Sequence, residues 1–284
     1  VVRQTGARGV LVTPELSERR AAGFRTVDLA LSDLVAGPHP AVPSATAAGD
    51  TAYVTCVLDA RREPRFVAYA HRVVIAAGDP IRYGLLRLTP EDTCLVPEEL
   101  SAPFAFDFAL GLPLSAGARA LVHQGSDDAG AILSAVERHA ATILVGTPRL
   151  YQSLGAARPG AFDLGSLRLA VCLGEGLPEP LQAELRRHFG LDVVAAAATP
   201  ETHVFAATAD GDGRSDTLGF PLPGRTVEVL TERGDRAATG QVGELCFPPG
   251  DPALAVGCGG AGGWYRSGLL ASRDDDGSLR RATS

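Results

Sequence analysis

Short apolar runs of strand length alternate with helix-length amphipathic segments along most of this chain, and that rhythm restricts its fold more than any other feature. Residues 9–13 and 25–29 read as strands around a helix over 14–22, and 37–49, rich in Pro, Ala and Ser, reads as a connector. A helix is expected from His71, then strands over 93–96, 119–122 and 142–145, with a helical stretch over 106–112 between the first two. Ser126, Asp127 and Asp128 place a cap and acidic residues at a helix start that carries Ile132, Leu133 and Val136 on one face. Thr147-Pro148 opens the next helix with a cap and a first-turn proline, and Leu181, Leu185 and Phe189 share one face of a later helix that Gly190 is placed to end. Strand–helix alternation of this kind is the signature of an α/β layer fold. From Thr217 onward short strands dominate, over 226–230 and 242–247 among others. The expected architecture is therefore an α/β core over 1–208, with twisted, mostly parallel sheets flanked by helices. A small β-rich subdomain, a distorted barrel, is expected over 209–284.

The chain has 284 residues and a formal net charge of -7, and its 45% hydrophobic content is that of a globular protein with a sizeable core. An acidic balance argues against a nucleic-acid or anionic-membrane surface, which needs a basic patch. No apolar run reaches the length of a membrane helix. Cys56, Cys94, Cys172, Cys246 and Cys258 show no metal-ligand spacing; the first three lie in apolar, strand-like runs, where a buried free thiol is expected. A reducing, cytoplasmic compartment follows as an expectation. All 26 basic residues are Arg, so no lysine ammonium is available for chemistry. No metal site is expected.

Three groups of motifs carry chemistry. Asp50-Thr51-Ala52-Tyr53-Val54, then Pro64, Val67, His71 and Arg72, form a frame that in other chains surrounds a Gly-, Ser- and Thr-rich phosphate loop. The segment 167–202 contains Gly174-Glu175-Gly176-Leu177-Pro178 and ends in Ala197-Ala198-Thr199-Pro200-Glu201. Downstream stand Gly219-Phe220-Pro221-Leu222-Pro223-Gly224, Gly243-Glu244-Leu245 and Trp264-Tyr265-Arg266-Ser267-Gly268-Leu269. In this order the motifs resemble those of the adenylate-forming superfamily of acyl-CoA synthetases, aryl-CoA ligases and amino-acid adenylation domains. In style they are most similar to benzoate-CoA ligase-like proteins.

Several nucleotide-binding positions of that superfamily are altered. Leu58, Asp59, Ala60, Arg61 and Arg62 stand where the phosphate loop has Ser-Gly-Thr-Thr-Gly, and Arg65-Phe66 replace Lys-Gly. Such a loop needs glycines that take positive φ and let phosphate approach backbone N–H groups. The aromatic that stacks on adenine is Ala197, the phosphate-contacting Thr is Pro200, and the ribose-binding Asp is Leu269. Carried over by resemblance, a vestigial nucleotide site comprises Gly174, Glu175, Gly176, Thr199, Glu201 and Arg65, with Glu201 the one remaining Mg²⁺/ATP residue. The acid-pocket wall comprises Phe104, Phe106, Asp107 and Leu110. His71 and Arg72 read as structural, and His123, His139, His188 and His203 as surface or partly buried. The resemblance also implies a truncated homologue that stops before the superfamily's small C-terminal domain.

The functional expectation is a non-catalytic pseudo-adenylation domain, a scaffold, docking or regulatory protein with no cofactor and with a protein partner or self-association. One alternative is an ATP- and Mg²⁺-dependent acyl- or aryl-CoA ligase in which Arg61, Arg62 or Arg65 grips phosphate. A second is a module that binds an acyl or aryl small molecule or an acylated carrier protein.

Overall fold

The computed structural model describes residues 9–12, 25–28, 45–58, 61–100, 102, 104–123, 128–157, 162–174, 176–208, 217–258 and 263–282. The helix expected over 14–22, the helix-start residues Ser126 and Asp127, the loop residues Asp59 and Ala60, and Glu175 lie outside them. Contacts divide the chain into two compact units, Val1–Ala47 with Cys56–Phe66, and Ala48–Thr55 with Val67–Ser284. In the first unit, β1 (Gly9–Val12) pairs in parallel with β2 (Arg25–Asp28). β3 (Thr51–Leu58) and β4 (Pro64–Ala70) form a separate two-stranded sheet, most of whose residues, 51–55 and 67–70, belong to the second unit.

The second unit is built on an eleven-stranded mixed sheet. β5 (Thr93–Val96), β6 (Arg119–Val122), β7 (Ile143–Gly146), β8 (Leu169–Leu173) and β9 (Val193–Thr199) run parallel in the order β6-β5-β7-β8-β9. Their side chains alternate between two cores. Cys94, Val96, Ile143, Val145, Val171 and Leu173 face one, packed with Phe108, Ala109 and Leu112 from the segment after β5. Leu95, Leu144, Ala170 and Cys172 face the other. This second core is covered by α3 (Ala129–His139), α4 (Pro148–Gly155) and α5 (Glu179–Phe189), which contribute Ile132, Leu133, Val136, Leu150, Leu154 and Leu185. Burial on both faces explains why these strands read as continuous apolar runs.

β10 (His203–Ala207) then pairs antiparallel with β9. β11 (Thr217–Pro221), β15 (Leu279–Arg281), β14 (Tyr265–Arg273), β13 (Gly243–Phe247) and β12 (Glu228–Leu230) continue the same sheet antiparallel. The α/β layers are those expected, but the order runs open from β12 to β6, so among the described residues the C-terminal strands extend the sheet rather than close a barrel. The tight turn between β9 and β10 permits only antiparallel pairing, and the strands that follow keep that sense.

At the helix start expected over 126–128 the cap is Asp128, one of the acidic residues, rather than Ser126, which lies outside the described residues. Asp128 caps α3 by accepting from Gly130 N at 2.9 Å, and Gly190 ends α5 at φ 66°. Thr147, expected to cap α4, makes no cap hydrogen bond; its hydroxyl donates to Glu98 Oε1 at 2.9 Å. α1 (His71–Asp79) begins where His71 N and Arg72 N donate to the carbonyls of Asp50 and Ala48, at 3.0 and 2.9 Å, which satisfies two first-turn donors through backbone alone. Cys94 and Cys172 are buried as expected, whereas Cys56 is exposed: among the described residues β3 pairs only with β4, and its outer positions are left to solvent.

One polar network, buried at Asp92 and open to solvent at Arg168, ties the parallel ladder to the segment after α1. Arg168 Nε and Nη2 donate to the two oxygens of Asp92, each at 2.8 Å, and Nη2 also donates to Leu86 O. Thr142 Oγ1 and Thr89 N add donors to the same carboxylate at 2.7 and 2.9 Å. These bonds, those from Arg168 above all, hold the Asp92 carboxyl well below the usual carboxylate range. A depressed folded pKa contributes stability that is present above the unfolded value, about 4, and lost as pH falls. Asp92→Asn is expected to cost about 2 kcal/mol in urea unfolding at pH 7. The gap from the parent protein is expected to narrow as pH drops from about 5 toward 3.

Candidate ligand-binding site

The segment after β5 packs on one face of the sheet and α4, after the adjacent β7, on the other. Two neighbouring strands whose connections leave on opposite faces create a crevice beyond their carboxyl ends, the common ligand position in open α/β sheets. A crevice of about 240 Å³ opens at that place, lined by Val96, Glu98, Phe104, Gly146, Leu173 and Gly174 with Ala102, Ala105 and Thr147. The lining comes from the last residues of β5, β7 and β8 and is mainly apolar. Its polar edge is the Thr147–Glu98 hydrogen bond. Gly146 is required by packing, since a Cβ there would meet Leu150 Cδ2 at 2.2 Å. Gly174 stands at φ 97° with its N–H on Ala196 O, and a Cβ there would have nothing within 4 Å.

Gly174 also lines a second cavity, of about 130 Å³, with Ala197, Ala198, Phe205, Leu218, Leu269 and Arg281. Three positions read as nucleotide-contacting by resemblance, Gly174, Ala197 and Leu269, thus converge in space, and two of them present aliphatic side chains. Glu201 is buried, and its carbonyl accepts from Ala255 N at 2.9 Å. Thr199 Oγ1 lies 2.9 Å from Thr202 Oγ1. Among the described residues, no group of three or more His, Cys, Asp or Glu is placed to hold a metal ion.

A model of the AMP-binding enzyme family matches residues 63–249. The chain belongs to the AMP-binding enzyme family. Among curated relatives it is 28% identical over 186 residues to a benzoate–CoA ligase of Thauera aromatica, covering 64% of this chain and 35% of that protein. It is 29% identical over 281 residues to an anthranilate–CoA ligase of Pseudomonas aeruginosa, covering 93% and 53%. The chain therefore spans between about a third and a half of the length of these two relatives. A benzoate CoA ligase from Burkholderia xenovorans LB400 superposes with a TM-score of 0.84 at 23% identity, over 99% of this chain and 60% of that one. The anthranilate CoA ligase AuaEII in complex with anthranoyl-AMP gives 0.86 at 22% identity, over 99% and 58%. These likenesses establish the fold.

Within this AMP-binding fold the expected acid-pocket residues separate. Phe104 lines the 240 Å³ crevice, while Asp107 lines a different cavity, of about 190 Å³, between α1 and the segment after β5. Phe106 is exposed and packs on Tyr53 at 5.8 Å between ring centroids, and Leu110 lines neither cavity. The cause is local backbone: Phe104 takes φ 69°, and a π-helical turn, Asp107–Gly111, leads into α2 (Leu112–Ser115). Of the expected nucleotide residues, Arg65 is exposed near the start of β4 and Gly176 is half-buried.

Asp107 and His203 form a buried polar pair that sequence reasoning did not connect. His203, expected at or near the surface, is 3% exposed and has φ 54°. It follows the tight turn between β9 and β10, whose sequence alone does not reveal that position. Its Nδ1 is 3.6 Å from Asp107 Oδ2. Burial, with the Arg225 charge second, pushes the imidazole down to about 3, and burial raises the Asp107 carboxyl to about 6. On acidification Asp107 takes its proton before His203 does, so the contact is a carboxylate beside a neutral imidazole rather than an ion pair. The Tyr53 hydroxyl, 3.3 Å from both Asp107 oxygens, is held well above its ordinary value by burial and then by the Asp107 charge.

For an acid whose folded pKa is raised, stability is greatest below the unfolded value, about 4, and falls as pH rises toward 6. Asp107→Asn is expected to stabilise the fold by about 1–2 kcal/mol at pH 8, with the advantage gone by about pH 4. Urea midpoints measured across that range check it; a variant less stable than the parent at pH 8 would contradict a buried, under-satisfied charge.

Proposed function

We propose that the protein recognises a small aryl carboxylic acid in the crevice beyond β5, β7 and β8. The observation that carries this reading is an apolar recess of about 240 Å³ at the switch in strand connections, meeting the family's nucleotide positions at Gly174. Its volume suits one substituted ring, since a dry engineered cavity of about 150 Å³ holds benzene. The ring would lie against Phe104, Ala105 and Leu173, and the carboxylate would point away from Glu98, whose charge repels it. Relatives named as benzoate and anthranilate ligases support an aryl acid over a long acyl chain.

ATP-dependent activation of that acid, as in a CoA ligase, is a second reading favoured by the same relatives. The residues at the nucleotide end favour recognition without turnover, in a scaffold or regulatory role. Ala197 and Leu269, at positions where the family places an adenine-stacking ring and a ribose-binding carboxylate, offer neither a stacking ring nor an acceptor for ribose hydroxyls. The described residues therefore do not fit ATP and Mg²⁺ in the family's manner.

Calorimetric titration with benzoate, 2-aminobenzoate and 4-hydroxybenzoate is expected to give saturable binding to at least one acid. Ala102→Trp, which fills the recess from a half-buried position, is expected to abolish it. Binding that survives this change would overturn the placement. ATP–pyrophosphate exchange that depends on the acid and is lost in Glu201→Ala would establish the ligase reading, and no exchange across the panel would remove it.

A further inference from the structure

Among the described residues the acid crevice carries one charged side chain, Glu98, which stands just beyond the end of β5 and is half-buried. The Thr147 hydroxyl, placed by sequence to cap α4, donates instead to Glu98 Oε1 at 2.9 Å. α4 thus forgoes a side-chain cap, and the hydroxyl orients a carboxylate at the edge of the crevice. A carboxylate has about four lone-pair positions to satisfy. Among the described residues Thr147 is the one hydrogen-bond donor to Glu98, and Oε2 accepts from none.

A ring that fills the recess strips water from that side of Glu98. A bare ring leaves the carboxylate short of donors, which costs free energy, whereas an O–H or N–H on the ring forms a charge-assisted hydrogen bond with it. The ligand's own carboxylate cannot serve, because it is ionised near neutral pH and repelled by Glu98. The donor must therefore be a second substituent, away from the carboxylate. A donor ortho to the carboxylate turns away from Glu98 with it. The crevice, at about 240 Å³, exceeds the ~150 Å³ that holds benzene by room for both groups. A site that hydrogen-bonds a ligand hydroxyl discriminates strongly against the analogue without it, since its own polar group is then left unpaired. Half-burial of Glu98 brings the expected factor down to about tenfold, the lower end for a bond to a charged group.

We propose that Glu98, oriented by Thr147, is the specificity-determining residue of this crevice, and that it selects an aryl acid with a hydroxyl or amino donor meta or para to the carboxylate. The inference rests on the aryl-acid reading of the crevice given above.

The test is calorimetric titration of the full chain with benzoate, 4-fluorobenzoate and the 2-, 3- and 4-hydroxybenzoates. The 3- or the 4-hydroxy acid is expected to bind about tenfold more tightly than benzoate or 4-fluorobenzoate, which has no hydrogen to donate from the ring position. The 2-hydroxy acid is expected to show no such gain. Glu98→Leu is expected to cut the preference below about threefold. Glu98→Gln, which can keep the Thr147 bond but removes the charge, is expected to weaken the preference by about threefold or more; it decides the matter should far-UV circular dichroism show that Glu98→Leu alters folding. The proposal is overturned, with the aryl-acid reading intact, if the acids bind in a manner blocked by Ala102→Trp but without this preference, if the 2-hydroxy acid gains equally, or if the preference survives both Glu98 substitutions. Binding of none of the acids would overturn the aryl-acid reading and the proposal together.

Discussion

The parallel ladder β6-β5-β7-β8-β9 is the constraint on which the rest of the second unit depends. β5, β7 and β8 are apolar on both faces, so neither face can be left to water, and helices must cover each. Covering both faces forces the connection after β5 and the one after β7 to leave on opposite sides. The crevice at the strand ends is a consequence of that split, as is the need for Gly146, against which Leu150 packs. At the opposite, amino-terminal ends of β5 and β8, Asp92 and Arg168 lock the ladder with bidentate hydrogen bonds.

Polar chemistry is confined to the margins of this scaffold. Glu98 and Thr147 edge the acid crevice, and Asp107 and His203 occupy the far side of the π-helical turn. Gly174 joins the crevice to the cavity that contains Ala197 and Leu269. The crevice has a ring-sized volume, and the second cavity is smaller and lined by Ala197, Leu218 and Leu269 together with Phe205 and Arg281.

Much of the fold was legible because one face or one period decided it. β5 and β6 fall on the expected residues, since three successive apolar residues follow Thr93 in one and Arg119 in the other. Gly190 ends α5 because a left-handed residue closes the helix there. The failures were tertiary. Thr147 looks like a cap, but Glu98, distant in sequence, takes its hydroxyl. Cys56 looks buried in an apolar run, but its strand has a single partner. Phe104 and Asp107 look like one helical wall, but a left-handed Phe104 and a π-helical turn direct them into different cavities. His203 carries no sequence sign of burial, because its surroundings, Tyr69, Phe104, Asp107 and the β9 partner Thr199, are distant in sequence or set by the turn before it.

The measurement closest to the central claim is a crystal structure of the chain soaked with 4-bromobenzoate, with the bromine located by its anomalous signal. The account places the ring in the crevice between Phe104, Leu173 and Gly174, with the carboxylate directed away from Glu98. Bromine in the cavity beside Asp107, or on the surface alone, would contradict it.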